Sequence, residues 1–233
     1  MIYILHLYPN LMNLYGDYAN ITVLKKHLED QEQVVRVEKK DIGSNIDFSK
    51  YDFIYMGSGT ESSRDIALTD LLRYKDDLKQ CIENGKTILF TGNAMELLGN
   101  TIGNKQGLGI VDFDVETTTS RYTGDVIMES KQLGEIVGFI NKSTLIKGGE
   151  DSKLFDYFFM DNNLKDNDYE GYRINNTYGT HIIGPVLVKN PKFMKTIIES
   201  ILPEDFEYKE IEYTFEEDSY LTTLAALKER MQW

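Results

Sequence analysis

Apolar positions in the first hundred residues fall into four short runs: Ile2-Tyr-Ile-Leu-His-Leu-Tyr8, residues 34–38, Asp52-Phe-Ile-Tyr-Met56 and Thr87-Ile-Leu-Phe90. Each run is bounded by turn residues and is of strand length, so each predicts a buried strand. Between them the spacing changes to that of a helix. One helix is predicted over about 21–30 with Asn20 as its N-cap. A second is predicted over 65–84, with Leu71, Leu72, Leu78, Cys81 and Ile82 on one face and Gly85 just past its end. Strand alternating with helix predicts a parallel, doubly wound α/β sheet whose site lies at the carboxyl ends of the strands. Beyond Gly99 the pattern becomes short strands, over 108–115, 125–129 and 135–141. Helical spacing returns in a helix that Pro191 opens and in a last one over 215–231, where Tyr220, Leu221, Leu224 and Leu227 are the apolar positions.

The stretch Thr87-Ile-Leu-Phe-Thr-Gly-Asn-Ala-Met-Glu-Leu-Leu-Gly99 carries the sharpest local signal. A strand runs into a Gly-Asn-Ala turn and restarts with helix formers. In α/β enzymes this geometry lifts one nucleophilic side chain above the sheet edge, beside amides able to hold an oxyanion. Here the apex is Gly92, which has no side chain to react. The third strand ends in Gly57-Ser-Gly59, a tight turn of the kind that places backbone amides near such an apex.

Composition narrows the partners. A formal net charge of −13 over 233 residues disfavours nucleic acid and anionic membranes and leaves small molecules or another protein. The lone Cys81 makes no internal disulfide and reads as a buried helix cysteine. There is no basic n-region or long apolar run, so cytoplasm is the expected compartment. His6, with apolar neighbours on both sides, reads as a satisfied core histidine. The acidic, turn-rich stretch over 161–171 lacks the spacing of a calcium loop and reads as solvated, so neither metal nor cofactor is expected.

Several segments together resemble the class I glutamine amidotransferases, in particular the cobyric acid synthase-like group that includes the amidotransferase subunit of lipid II isoglutaminyl synthase. Tyr8-Pro-Asn-Leu-Met-Asn-Leu-Tyr-Gly-Asp-Tyr-Ala-Asn20 is closely similar to a family stretch at the same end of the chain, departing at Ala19. Residues 87–99 resemble the family elbow, with Gly92 where the family has its cysteine and Asn93, Ala94, Met95 and Glu96 in place of Gly-Gly-Tyr-Gln. Tyr178-Gly-Thr-His-Ile-Ile-Gly-Pro-Val-Leu-Val-Lys-Asn-Pro191 resembles the segment that carries the general base, and Gly184-Pro185 sets a register that puts Ile183 at that base. His181 is two positions away on the same side of a strand. In Ile136-Val-Gly-Phe-Ile-Asn-Lys142 the acidic and histidine positions of the family are Ile140 and Lys142. Arg121 matches an arginine thought to hold the glutamine carboxylate, a task suited to a guanidinium fork.

The resemblance implies one class I glutamine amidotransferase-like (flavodoxin-like) three-layer sandwich over 1–233, with a mostly parallel central sheet. It implies three functional readings. The first is a non-hydrolysing relative in which Gly92 and Ile183 are degenerate catalytic positions, Gly57, Gly59, Asn93, Glu96, Arg121 and His181 are candidate ligand contacts, and the role is regulatory or partner-binding. The second is a working glutaminase feeding ammonia to a Mur-ligase-like partner. The third is other chemistry in the same pocket. Loss of the thiol ranks them in that order.

Overall fold

A computed structural model describes residues 1–160 and 170–231. Strands β1 (Ile2–Leu7), β2 (Val35–Lys40), β3 (Phe53–Met56) and β4 (Thr87–Thr91) alternate with helices α1 (Tyr18–Asp30), α2 (Glu61–Leu71) and α3 (Lys75–Glu83). The minor strands β5 (Thr101–Ile102) and β6 (Lys105–Gln106) follow, then a long pair, β7 (Phe113–Ser130) and β8 (Gly134–Gly148). The remaining elements are β9 (Lys153–Phe155), β10 (Tyr157–Met160), β11 (Glu170–Ile174), β12 (Thr177–Thr180), β13 (Ile182–Ile183), α4 (Val186–Lys189), α5 (Pro191–Ile201) and α6 (Thr214–Met231).

The central sheet has the order β2-β1-β3-β4-β12-β11-β9 and is parallel from β2 to β12, with β11 and β9 antiparallel at one edge. Alternate residues of its strands feed two cores. Leu5, Leu7, Ile54 and Met56 pack with Leu68 and Leu71 of α2 and Leu78 of α3. Ile4, Phe53, Tyr55 and Leu89 pack with Leu24 of α1 and Phe193 and Ile197 of α5. Helices on both faces of a sheet make the expected three layers.

The structure corrects several details. The helix expected over 65–84 starts at Glu61, because Thr60 caps it by accepting from the Ser63 amide at 3.0 Å. It breaks in a 3-10 step at Leu72–Tyr74 that leaves Leu72 exposed. Asn20 is not an N-cap: α1 starts at Tyr18, whose amide is met by Asn13 Oδ1 at 2.9 Å. Asn20 is instead buried inside the helix, donating to the Tyr55 hydroxyl and accepting from the Leu187 amide, both at 2.9 Å. The short strands expected over 108–141 are largely one long hairpin, β7 with β8, interrupted by a bulge between Thr117 and Tyr122. Cys81 is buried on α3, as expected. Most of the stretch 161–171 lies outside the described residues. No group of metal-ligating side chains, and no helix long and apolar enough to cross a membrane, occurs among the described residues.

Candidate functional site

Strand β4 ends at Thr91, and Gly92 turns the chain with φ +59° into a 3-10 segment, Gly92–Leu98. Glycine suits this turn because L side chains strain at positive φ. The Gly57–Gly59 turn, at the end of neighbouring β3, lies against it. A Cβ at residue 92 would fall 2.3 Å from Ser58 Cβ and 2.9 Å from Ile183 Cγ2, so the apex, Ser58 and Ile183 already fill one another's space. Ile183, the residue that the register through Gly184-Pro185 puts at the base position, faces Gly92.

The amides of the glycine turn are occupied. Ser58 donates from its backbone N–H (2.7 Å) and from its hydroxyl (2.8 Å) to Asp17 Oδ2, a fully buried carboxyl whose pKa burial raises. The Gly59 N–H donates to Asn93 Oδ1 at 3.0 Å, and Asn93 Nδ2 returns a bond to the Gly59 carbonyl at 2.9 Å. Asp17 comes from the Tyr8–Asn20 stretch, which also docks through the Leu14 amide on the Ser58 carbonyl at 2.9 Å. That stretch thus closes one wall of a pocket of about 120 Å³ above the elbow.

The floor of the pocket is a buried charged array. Glu96, 1% exposed, accepts from Arg64 Nη1, from the Thr144 hydroxyl at 2.6 Å, and from His181 Nε2 at 3.3 Å. His181 places its other ring nitrogen 2.9 Å from Glu170 Oε1, and that oxygen also accepts the His181 amide at 2.7 Å. Burial alone would raise the pKa of Glu96 and of Glu170. Hydrogen bonds from His181 and its charge, helped by Arg64 at Glu96 and by Lys142 at Glu170, outweigh burial and hold both carboxyls below their ordinary range. Burial and the Lys142 charge push His181 down, but its two carboxylate partners prevail and raise it. Both ring nitrogens of His181 are engaged by carboxylates, an arrangement that favours the protonated ring over the neutral one a general base requires.

Arg121 reaches the pocket rim from within the β7 bulge. Its Nε donates to Asn141 Oδ1, while Asn141 Nδ2 donates to the Tyr15 hydroxyl at 3.2 Å. Gly59, Asn93, Glu96, Arg121 and His181 thus line one pocket with Gly92 and Ile183; Gly57 lies behind it, packed on Asp17 and the Met12 carbonyl. Sequence reading missed Arg64, Asp17, Thr144 and Glu170. Glu170 belongs to a stretch read as solvated, yet it is 3% exposed because β11 inserts it beneath His181. Asp17 lies in the Tyr8–Asn20 stretch, but no local pattern marks Arg64, Thr144 or Glu170, since each meets its partner only in the folded chain. His6 is buried as expected, but it is not satisfied: its Nε2 has no hydrogen-bond partner.

The chain is similar to known proteins in sequence and in shape. A family model described as the CobB/CobQ-like glutamine amidotransferase domain matches residues 3–191. The chain is 32% identical over 222 residues to the lipid II isoglutaminyl synthase (glutamine-hydrolyzing) subunit GatD of Staphylococcus aureus strain N315, spanning 90% of this chain and 89% of that protein. It is 28% identical over 211 residues to the GatD subunit of Streptococcus pneumoniae strain ATCC BAA-255 / R6, spanning 87% and 81%. Its shape is similar to that of PurLQS from Thermotoga maritima, with a TM-score of 0.55 at 12% identity, covering 96% of this chain and 99% of that one. That last likeness concerns the fold alone.

Proposed function

This chain belongs to the CobB/CobQ-like glutamine amidotransferase family, and from that premise we propose that it is a GatD-like subunit that does not hydrolyse glutamine and acts by binding a partner. The observation that carries this reading is the occupied elbow. No thiol stands at Gly92, Ser58 and Ile183 fill the space where its side chain would go, and the Ser58 and Gly59 amides are taken by Asp17 and Asn93. Glutaminase chemistry needs an attacking atom, a base and free oxyanion donors, and these residues supply none of the three. We read residues 1–233 as one amidotransferase-like unit, placed in the cytoplasm, with a Mur-ligase-like subunit as the partner. The pocket retains Arg121 and Lys142 at its wall, which suits glutamine or another small carboxylate as a ligand.

A second reading, a working glutaminase subunit, is favoured by the relatives, whose names describe a glutamine-hydrolyzing enzyme. Glutamate release by the purified protein separates the two. The expected result is no turnover above a heat-killed control and no labelling by a glutamine-analogue affinity reagent. Turnover that survives Cys81→Ser would show that another group attacks the amide and would overturn the first reading.

A further inference from the structure

A second concave site lies away from the elbow, at the edge of the central sheet. Helix α1 and edge strand β2 enclose a groove of about 470 Å³, closed at one end by Pro9 and Asn13. Its apolar wall is made by Tyr18, Ile21 and Val37, and it lies toward the carboxyl ends of β1 and β2, the edge at which doubly wound sheets hold ligands.

Two side chains set the chemistry of this groove. His6 is 2% exposed, and its Nε2 is buried without a partner. A buried polar atom left unpaired carries a desolvation penalty that folding alone does not recover. Lys39 is the parallel-strand neighbour of His6 in the β1/β2 register, so both side chains leave the sheet on the same face. Lys25 and Lys26 also line the groove but are engaged by Glu29 and Asp30 along α1, whereas Lys39 has no ion-pair partner among the described residues. A basic cluster with one uncommitted ammonium is a local exception on a chain of net charge −13.

We propose that this groove is a second ligand site that takes a small phosphate monoester, its phosphate between the Lys39 ammonium and the His6 ring, its organic body against Tyr18, Ile21 and Val37. The anion packs against the His6 ring, and the neighbouring Lys39 supplies the opposite charge. Lys25 and Lys26 add attraction at the rim. Gly92 and Ile183 line the elbow pocket and not this groove.

The test is titration of the full-length protein with phenyl phosphate, followed by imidazole resonances in nitrogen-15 NMR. The chain has 3 histidines, so substitution assigns each signal. The expected result is a saturable shift at His6, no shift with benzyl alcohol, and affinity at least about tenfold weaker in Lys39→Gln, the loss of one charge-assisted hydrogen bond. Lys39 is exposed, so this variant keeps its fold. An unmoved His6 signal at millimolar phenyl phosphate, a shift confined to His181, or equal affinity in Lys39→Gln would each overturn the proposal.

Discussion

At the scale of single residues, Gly92 and Ser58 are one packing unit. Any Cβ at 92 must accept a positive φ and displace Ser58, which is held by two hydrogen bonds to Asp17. Gly92→Ala should therefore lose at least about 2 kcal/mol in denaturant unfolding, from backbone strain and overpacking together. Ser58→Gly alone should also destabilise, because it strips a hydrogen bond from buried Asp17. Combined, the two should be less destabilised than the sum of the singles, and strict additivity would show that the two positions do not collide. Regaining hydrolysis by Gly92→Cys with Ile183→His consequently needs Ser58→Gly as a third change.

His6 makes a pH-dependent prediction. Burial, then the Lys39 charge, lower its pKa from 6.5 to about 4, against a smaller raising effect of Asp41. Below pH 6.5 the unfolded chain takes up a proton that folded His6 refuses until about pH 4, so acidification across that window favours unfolding. Replacing His6 with leucine should remove this loss. The stability of His6→Leu relative to the natural protein should rise as pH falls from 6.5 toward 4 and then level off. A constant difference between the two unfolding profiles would show that His6 titrates normally.

At the scale of elements, the β7/β8 hairpin carries Arg121 and Thr144 to the pocket, and α6 covers its back. Leu224 and Leu227 are buried against Ile127 and Val137, the Tyr220 hydroxyl donates to the Glu135 carbonyl at 2.8 Å, and Lys228 and Arg230 pair with Glu135 and Asp125. Leu221, expected on the apolar face, is 56% exposed. Leu224→Ala and Leu227→Ala should each lose about 2 kcal/mol of stability, while Leu221→Ala should stay within about 0.5 kcal/mol. Equal effects at all three positions, read by chemical denaturation, would place α6 in another rotation.

At the scale of the whole molecule, the charge of −13 favours a basic or polar protein surface as partner over nucleic acid. Affinity capture of the tagged chain from its native host should bring down a Mur-ligase-like protein, and Gly92→Ala should not abolish the capture if partner binding is independent of the elbow. Recovery of the chain alone would remove the partner from the proposed function.

Strand positions in the first hundred residues, their alternation with helices and the bend at Gly92 followed from the sequence itself, because short apolar runs, helical spacing and glycine at a turn are local physical constraints. The family was legible for the same reason, in contiguous stretches such as Tyr8–Asn20. What only tertiary structure decided was pairing over distance. The placement of Asn20 between Tyr55 and Leu187, the burial of Glu170 under His181 and the link from Arg64 to Glu96 join residues far apart in the chain. A buried charge is tolerated only where its counter-charge arrives from another element, so its role is set by the packed sheet and leaves no mark in the residues beside it.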